Sequence, residues 1–272
     1  MLSIAIIVFR EVLEAALLIG VIAAATRELE GRRAAILTGM TMGLVLALTV
    51  AGFTGSIARM AEGAGQELFN ALVLAVVVAM LAWHNIWMAR HGRELALNAR
   101  AVANRVMTGR SELSAITVMV ALAILREGSE TAIFLFGLGA GNDLSAGQMV
   151  TGFTLGLLTG VAAGAGLYAG LVRVPLRWFF GVTSGLILLI ASGMAARLAN
   201  VLMQGDFLSG MASPLWDTSG WLPTDSGLGS LLHILMGYEA RPSGMQFLFY
   251  AATFTVIALG MWWSRRPAHA ST

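Results

Sequence analysis

Long apolar runs separated by short polar segments set the pattern of this chain. Six runs, at residues 2–25, 35–58, 68–89, 115–138, 148–172 and 178–202, reach the roughly 20 residues that a helix needs to cross a bilayer, and a shorter one covers 245–263. The pattern predicts an all-α integral membrane protein with seven transmembrane helices. The first run lacks a basic leader and carries charges in its middle, so it reads as a mature helix rather than a secretion signal. Residues 203–246 break the rhythm. They are rich in Gly, Ser, Pro and Asp, and hold Trp216 and Trp221, which suit a membrane interface. Within them, 228–236 predicts a short helix on the outer surface, stopped by Gly237.

Sliding the chain along itself by a little over a hundred residues brings two segments into register. Arg10-Glu11-Val12-Leu13-Glu14-Ala15-Ala16 meets Arg126-Glu127-Gly128-Ser129-Glu130-Thr131-Ala132, and Thr38-Gly39-Met40-Thr41-Met42-Gly43-Leu44 meets Thr151-Gly152-Phe153-Thr154-Leu155-Gly156-Leu157. Two ordered matches at nearly equal offsets point to a duplication. The single membrane domain, 1–272, then divides into a first three-helix repeat at 1–110, a second at 111–202, an extracytoplasmic loop at 203–246 and a seventh helix at 247–263. Three helices per unit is an odd number, so the second copy enters the membrane in the opposite sense. Inverted 3+3 repeats of this kind place their binding site near the midplane, between the halves. The second helix of each unit carries a stripe of small residues: Gly39, Gly43, Ala47, Ala51 and Gly55 in one, Gly152, Gly156, Gly160 and Gly164 in the other. Such stripes let helix backbones approach closely in lipid.

The candidate chemistry lies in the matched Arg-Glu-x-x-Glu clusters. A charge at bilayer depth costs about 3 kcal/mol or more, so it is expected where it has partners and a function. Glu11 and Glu14 share a helix face, as do Glu127 and Glu130, and Arg10 and Arg126 each reach the second glutamate at i+4. Crossing helices would bring four carboxylates together. Each helix has two acids against one base, which is a poor device for merely locking helices together. Oxygen ligands select hard cations, and crowded carboxylates favour a highly charged one. The chain has no cysteine, and neither cluster helix has a histidine, which disfavours zinc or copper. Ferric iron fits, while ferrous iron, manganese and protons remain open on ligand type alone. The readings to be separated are an importer, a divalent-metal or proton-coupled exporter, and a membrane-embedded carboxylate metalloenzyme. The last usually adds Glu-x-x-His pairs, which both clusters lack.

Charge adds an orientation. The 17 basic residues are all arginine, and the net charge of +2 gives no reason to expect a nucleic-acid partner. Twelve arginines fall in the first, third and fifth loops and the C-terminal tail, against Arg59, Arg197 and Arg241 on the other side. The positive-inside rule therefore predicts the N-terminus outside and the C-terminus in the cytoplasm. The outer side collects Glu62, Glu67, Asp143, Asp206, Asp217, Asp225 and Glu239, either a cation-attracting field or ordinary solvated loops.

With seven predicted helices and an Arg-Glu-x-x-Glu motif in the first and the fourth, the chain resembles the high-affinity ferric iron permeases, or oxidase-dependent iron transporters. The segment Gly237-Tyr238-Glu239-Ala240-Arg241-Pro242-Ser243-Gly244-Met245-Gln246 is similar to their stretch before the seventh helix. The resemblance implies a bacterial-type iron permease of the plasma (bacterial inner) membrane, not an enzyme. Iron is then its transported substrate, with no organic cofactor. Glu11, Glu14, Glu127 and Glu130 are the implied iron-binding carboxylates, and Arg10 and Arg126 complete the motifs. An extracytoplasmic protein that oxidises or delivers iron is the implied partner. Val12 stands where the family commonly has glycine, adding bulk beside the site, and the Asp-Ala-Ser-Glu loop motif of fungal members is absent.

The four histidines complete the survey. His84, in Trp83-His84-Asn85-Ile86-Trp87-Met88, reads mainly as an interfacial residue at the end of the third helix, with a metal stop on an exit path as the alternative. His233 and Glu239 lie in the sixth loop beside the expected outer mouth, where they could receive metal. His91 and His269 read as loop and tail residues, and the 15 methionines as core filling.

Overall fold

The computed structural model describes residues 1–60, 66–109, 112–141, 145–169 and 176–264, and there the apolar runs are all helical. In chain order the helices are α1 (Leu2–Ala25), α2 (Arg32–Met60), α3 (Gln66–Met107), α4 (Ser114–Gly141), α5 (Ala146–Tyr168), α6 (Leu176–Gln204), α7 (Gly227–Met236) and α8 (Gly244–Ser264). No strand occurs among the described residues. Stretches of α2, α3, α5, α6 and α8 are long and apolar enough to cross a membrane. With 24 and 28 residues, α1 and α4 are as long, but each holds the three charges of its cluster.

Local chemistry fixes the helix ends. Ser145 and Gln148 form a reciprocal capping box at the start of α5. The same arrangement starts α8, where Ser243 N donates to Gln246 Oε1 and Gln246 N to Ser243 Oγ. The expected short helix forms as α7. Ser226 caps it, and Gly237 ends it at φ 69°, a left-handed conformation that glycine adopts without a Cβ penalty. The Cα of Gly237 also lies so close to Gly193 of α6 that a Cβ on Gly193 would come within 2.7 Å of it.

The two small-residue stripes each receive a cluster helix from the other half of the chain. A Cβ on Gly152 would lie 3.0 Å from Ile4 Cβ, one on Gly156 2.8 Å from Val8 Cβ, and one on Gly160 2.9 Å from Val12 Cβ, so α1 packs along α5. On the other side α4 packs along α2. A Cβ on Gly39 would meet Val120 Cβ at 2.9 Å, one on Gly43 would meet Ile124 Cβ at 2.6 Å, and one on Gly128 would meet Ala47 Cβ at 2.6 Å. Val12 therefore turns its bulk onto Gly160 instead of crowding the glutamates. In the other pair Gly128 is the small member against Ala47, so the bulk has changed sides of the interface.

The third helix departs from expectation. It was to end near residue 89, with Arg90, Arg93, Arg100, Arg105 and Arg110 in a loop, but α3 continues to Met107. Hydropathy fades after residue 89, whereas helical periodicity does not. Ala99, Ala103 and Val106 form a buried stripe, of which Ala99 and Val106 pack in one cluster with Ile22, Ala35, Ile116 and Val120. His91 lies within this helix, with its side chain outside the described residues; Arg110 and His269 are also outside them.

The segment before α8 is tied down. Leu215 N donates to Pro242 O, Thr218 N to Ala240 O, and Tyr238 Oη to Leu222 O. Trp216 packs edge-on to Phe247, while Trp221 is 96% exposed. Asp217 accepts from Ser219 and pairs with Arg241 at 2.9 Å, which together hold its carboxyl down at about 2. Its charge is thus neutralised in place and adds little to any cation-attracting field; Glu62 and Asp143, and the side chain of Glu67, lie outside the described residues. A carboxyl lowered on folding stabilises the folded form above its ordinary value of 3.8 and stops doing so as pH falls through about 2. Pepsin digestion is therefore expected to spare the Asp217–Arg241 clasp at about pH 4 and to cut beside it at about pH 2. Equal cleavage at both values would show that the clasp does not order the loop.

Candidate metal centre

Helix geometry places the acidic side chains. On α1, Arg10 Nε donates to Glu14 Oε1 at 3.0 Å; on α4, Arg126 Nε donates to Glu130 Oε1 at 3.1 Å. The same atoms make the same i+4 bond in both clusters, as the spacing predicts. Arg126 is also 3.7 Å from Glu127 Oε1, and its guanidinium carbon sits 4.4 Å from the centroid of the Trp87 ring.

Between these helices the acids converge. One oxygen each from Glu11, Glu127 and Glu130 lie within 4.8 Å of one another. So do one ligand atom each from Glu11, Glu14 and His84, which makes Glu11 common to both groups. Glu11 is 1% exposed and His84 4%. Among the described residues, Glu11 Oε1 and Oε2, Glu14 Oε2 and Glu127 Oε2 are buried without a hydrogen-bond partner. Buried polar atoms are normally paired, so four orphaned carboxylate oxygens in one place call for a cation or protons to fill the gap between them.

The main correction concerns His84. It was expected mainly at an interface, at the end of its helix, but α3 runs on for more than twenty residues beyond it and His84 sits level with the clusters. Its Nε2 is 3.7 Å from Glu11 Oε1 and 4.0 Å from Glu14 Oε1, and its Nδ1 lies against Glu130 Oε2. One imidazole thus spans the acids of both motifs. The all-oxygen cage expected from α1 and α4 is a mixed nitrogen and oxygen group once α3 is included. The next residue, Asn85, is buried and donates to Ser184 O at 2.9 Å, fastening α3 to α6. Phe134 meets the imidazole edge-on at 6.2 Å between centroids. Of the surrounding sequence, Trp87 faces Arg126 and Trp83 is exposed, so only Trp83 keeps the character of an interfacial aromatic. A single histidine in an apolar run was the available signal; hydropathy gave no reason to place it at the depth of the glutamates.

His233 and Glu239 lie apart from this group, 3.5 Å from each other, beside a cavity of about 290 Å³ between α1, α6, α7 and α8.

Comparison with known proteins gives the family. The model of the iron permease FTR1 family matches residues 1–265. The ferrous iron permease EfeU of Yersinia pestis is 29% identical over 248 residues, covering 90% of this chain and 87% of its own. The ferrous iron permease EfeU of Escherichia coli O6:H1 is 32% identical over 247 residues, covering 88% of this chain and 87% of its own. No solved structure gives a significant match. On a match that spans nearly the whole sequence, the chain belongs to the iron permease FTR1 family, whose members are multi-pass transporters and not enzymes.

Proposed function

We propose that this protein imports iron across the plasma membrane (the bacterial inner membrane) through the group formed by Glu11, Glu14, Glu127 and Glu130, with His84 as a fifth member. The observation that carries the reading is the meeting of Glu11, Glu127 and Glu130 within 4.8 Å, from two helices far apart in sequence. Arg10 and Arg126 hold Glu14 and Glu130 in place and bring the net formal charge to about −2 when all six groups ionise, which an incoming cation offsets. A bare cation site at that depth would otherwise repel itself apart.

Seven membrane-crossing helices in an inverted 3+3 arrangement, with α8 as the seventh, fit this function. Support for the repeat comes from the packing. Each contact between α1 and α5 has a counterpart between α4 and α2 at the sequence offsets of the two matches: Ile4 on Gly152 with Val120 on Gly39, Val8 on Gly156 with Ile124 on Gly43. Each half thus lends its cluster helix to the other half's small-residue stripe. The two halves rocking about the shared acids would open the group alternately to either side. The arginine distribution supports an N-terminus outside and a C-terminus in the cytoplasm.

The resemblance favours the ferric ion, delivered after oxidation of ferrous iron by an extracytoplasmic partner. One observation favours a second reading, ferrous iron, because imidazole suits divalent first-row metals better than it suits a hard trivalent ion, and His84 is in the group. Proteoliposome uptake of radioactive iron separates these. Supplied as ferric citrate or as ferrous iron with ascorbate, with manganese, zinc and lead as competitors, the label reports ion, charge state and direction together. Glu130→Gln is expected to abolish uptake of whichever form is carried, with normal membrane insertion; full uptake in that variant would sink the site.

A further inference from the structure

The cavity between α1, α6, α7 and α8 has a floor and a wall of different character. Ser3 of α1, Leu74 of α3 and Leu138 of α4 line its floor, and His233 and Glu239 its wall. Below the floor the three helices fill the space with buried apolar side chains: Ile4 and Ile7 on α1, Val77 and Leu81 on α3, Phe134 on α4. At about 1.5 Å per residue, the eight to ten residues from the floor to Glu11, His84 or Glu130 put the carboxylate group about 12 to 15 Å deeper. The cavity is therefore a separate chamber, on the side where the chain begins, closed from the acids by an apolar plug.

His233 is set up as a ligand in that chamber. Its Nδ1 is 2.8 Å from Tyr238 O, a carbonyl that can only accept, so in the neutral ring the proton is on Nδ1 and Nε2 carries the lone pair. Nε2 has no hydrogen-bond partner among the described residues. An imidazole fixed by a carbonyl at one nitrogen, with the other bare, is the usual state of a metal-binding histidine. Glu239 lies alongside, with Oε1 accepting from Thr224 Oγ1 and Oε2 3.5 Å from Nδ1, on the side of the ring that faces Tyr238 O. Gly237, with its left-handed backbone, turns the chain so that residues 233 and 239 come together from opposite sides of the α7 terminus. Arg197 of α6 lines the same cavity and opposes long residence of a cation. A way-station needs that balance, since an ion must enter and also leave.

We propose that this chamber is a receiving site, where His233 Nε2 binds a divalent first-row cation, with the Glu239 carboxylate beside Nδ1 orienting the ring and raising its basicity, before the cation passes the plug to the buried acids. The proposal rests on the import reading above in its ferrous form and on the N-terminal side being the outer one. Its test uses the full-length protein in nanodiscs, with Co2+ as an air-stable probe of the same charge as Fe2+, followed by calorimetry and by its visible absorption. In a Glu11→Gln/Glu127→Gln background one weak Co2+ site is expected to persist. Adding His233→Asn, which keeps a donor for Tyr238 O but lacks the second ring nitrogen, is expected to weaken that site by about tenfold or more. Glu239→Gln is expected to do the same. In the otherwise unaltered protein, His233→Asn is expected to raise the half-saturating iron concentration for uptake severalfold. Absence of the residual Co2+ site, or its indifference to both substitutions, overturns the receiving site. Undiminished uptake by the Glu11→Gln/Glu127→Gln protein would instead overturn the central site, so the two failures are distinguishable.

Discussion

Glu11→Gln is expected to cut iron uptake by at least about a hundredfold, since loss of a direct ligand should exceed the 10- to 100-fold effect of removing a supporting one. The same variant is expected to be as heat-stable as the parent, or more so. Both Glu11 oxygens are sealed from solvent and lack a geometric hydrogen-bond partner among the described residues, so glutamine keeps the shape while relieving the crowding of carboxylates in a low-dielectric interior. Arg10→Met should behave in the opposite way. Arg10 holds Glu14 at 3.0 Å, and without it that carboxylate is left buried and uncompensated, at a cost of about 3 to 5 kcal/mol. Uptake into proteoliposomes and tryptophan-detected unfolding of the same preparations measure both halves of the contrast. Were the acids present only to bind helices together, Glu11→Gln would melt early and still transport iron. Stability sacrificed at a functional site leaves the reverse signature.

How far this arrangement can be read in the sequence depends on what each signal encodes. Helices α1, α2, α4, α6 and α8 lie within a few residues of their apolar runs, because chain length in hydrocarbon sets both. The i+4 bonds of Arg10 and Arg126 follow from helical spacing alone. Gly237 is legible because few residues other than glycine stop a helix in the left-handed region. The second half of α3 is missed because hydropathy answers a question about lipid, whereas Ala99, Ala103 and Val106 bury their stripe against protein. His84 is misplaced for a related reason. A helix taken to end at 89 puts residue 84 at a surface, and only the helix continuing to Met107 moves it to the level of the acids. The role of Val12 was legible only as a departure from glycine. Its partner Gly160 is 148 positions away, and no local rule connects the two.

A second large structural effect is expected at the small-residue stripes, and Gly156→Ala isolates it. The added methyl would lie 2.6 Å from Ala5 O and 2.8 Å from Val8 Cβ, one turn from Glu11. A backbone carbonyl cannot rotate aside as a side chain can, so α1 and α5 must separate, at about 2 to 3 kcal/mol by the range for overpacked sites. Gly43→Ala meets Ala121 O at the same 2.6 Å on the other side and should cost a similar amount. The control is Gly185→Ala within α6, where nothing among the described residues lies within 4 Å of the new methyl. There the same substitution should stabilise by up to about 1 kcal/mol, because alanine is the better helix former. Thermal unfolding in detergent should therefore move down for Gly156→Ala and Gly43→Ala, and up or not at all for Gly185→Ala. Displacing α1 also moves Glu11 away from Glu127 and Glu130, so the two destabilised variants should lose iron uptake even below their unfolding temperature. If all three substitutions shifted unfolding alike, helix propensity rather than close approach would govern these positions, and the crossed packing of the two halves would no longer explain how the acids are brought together.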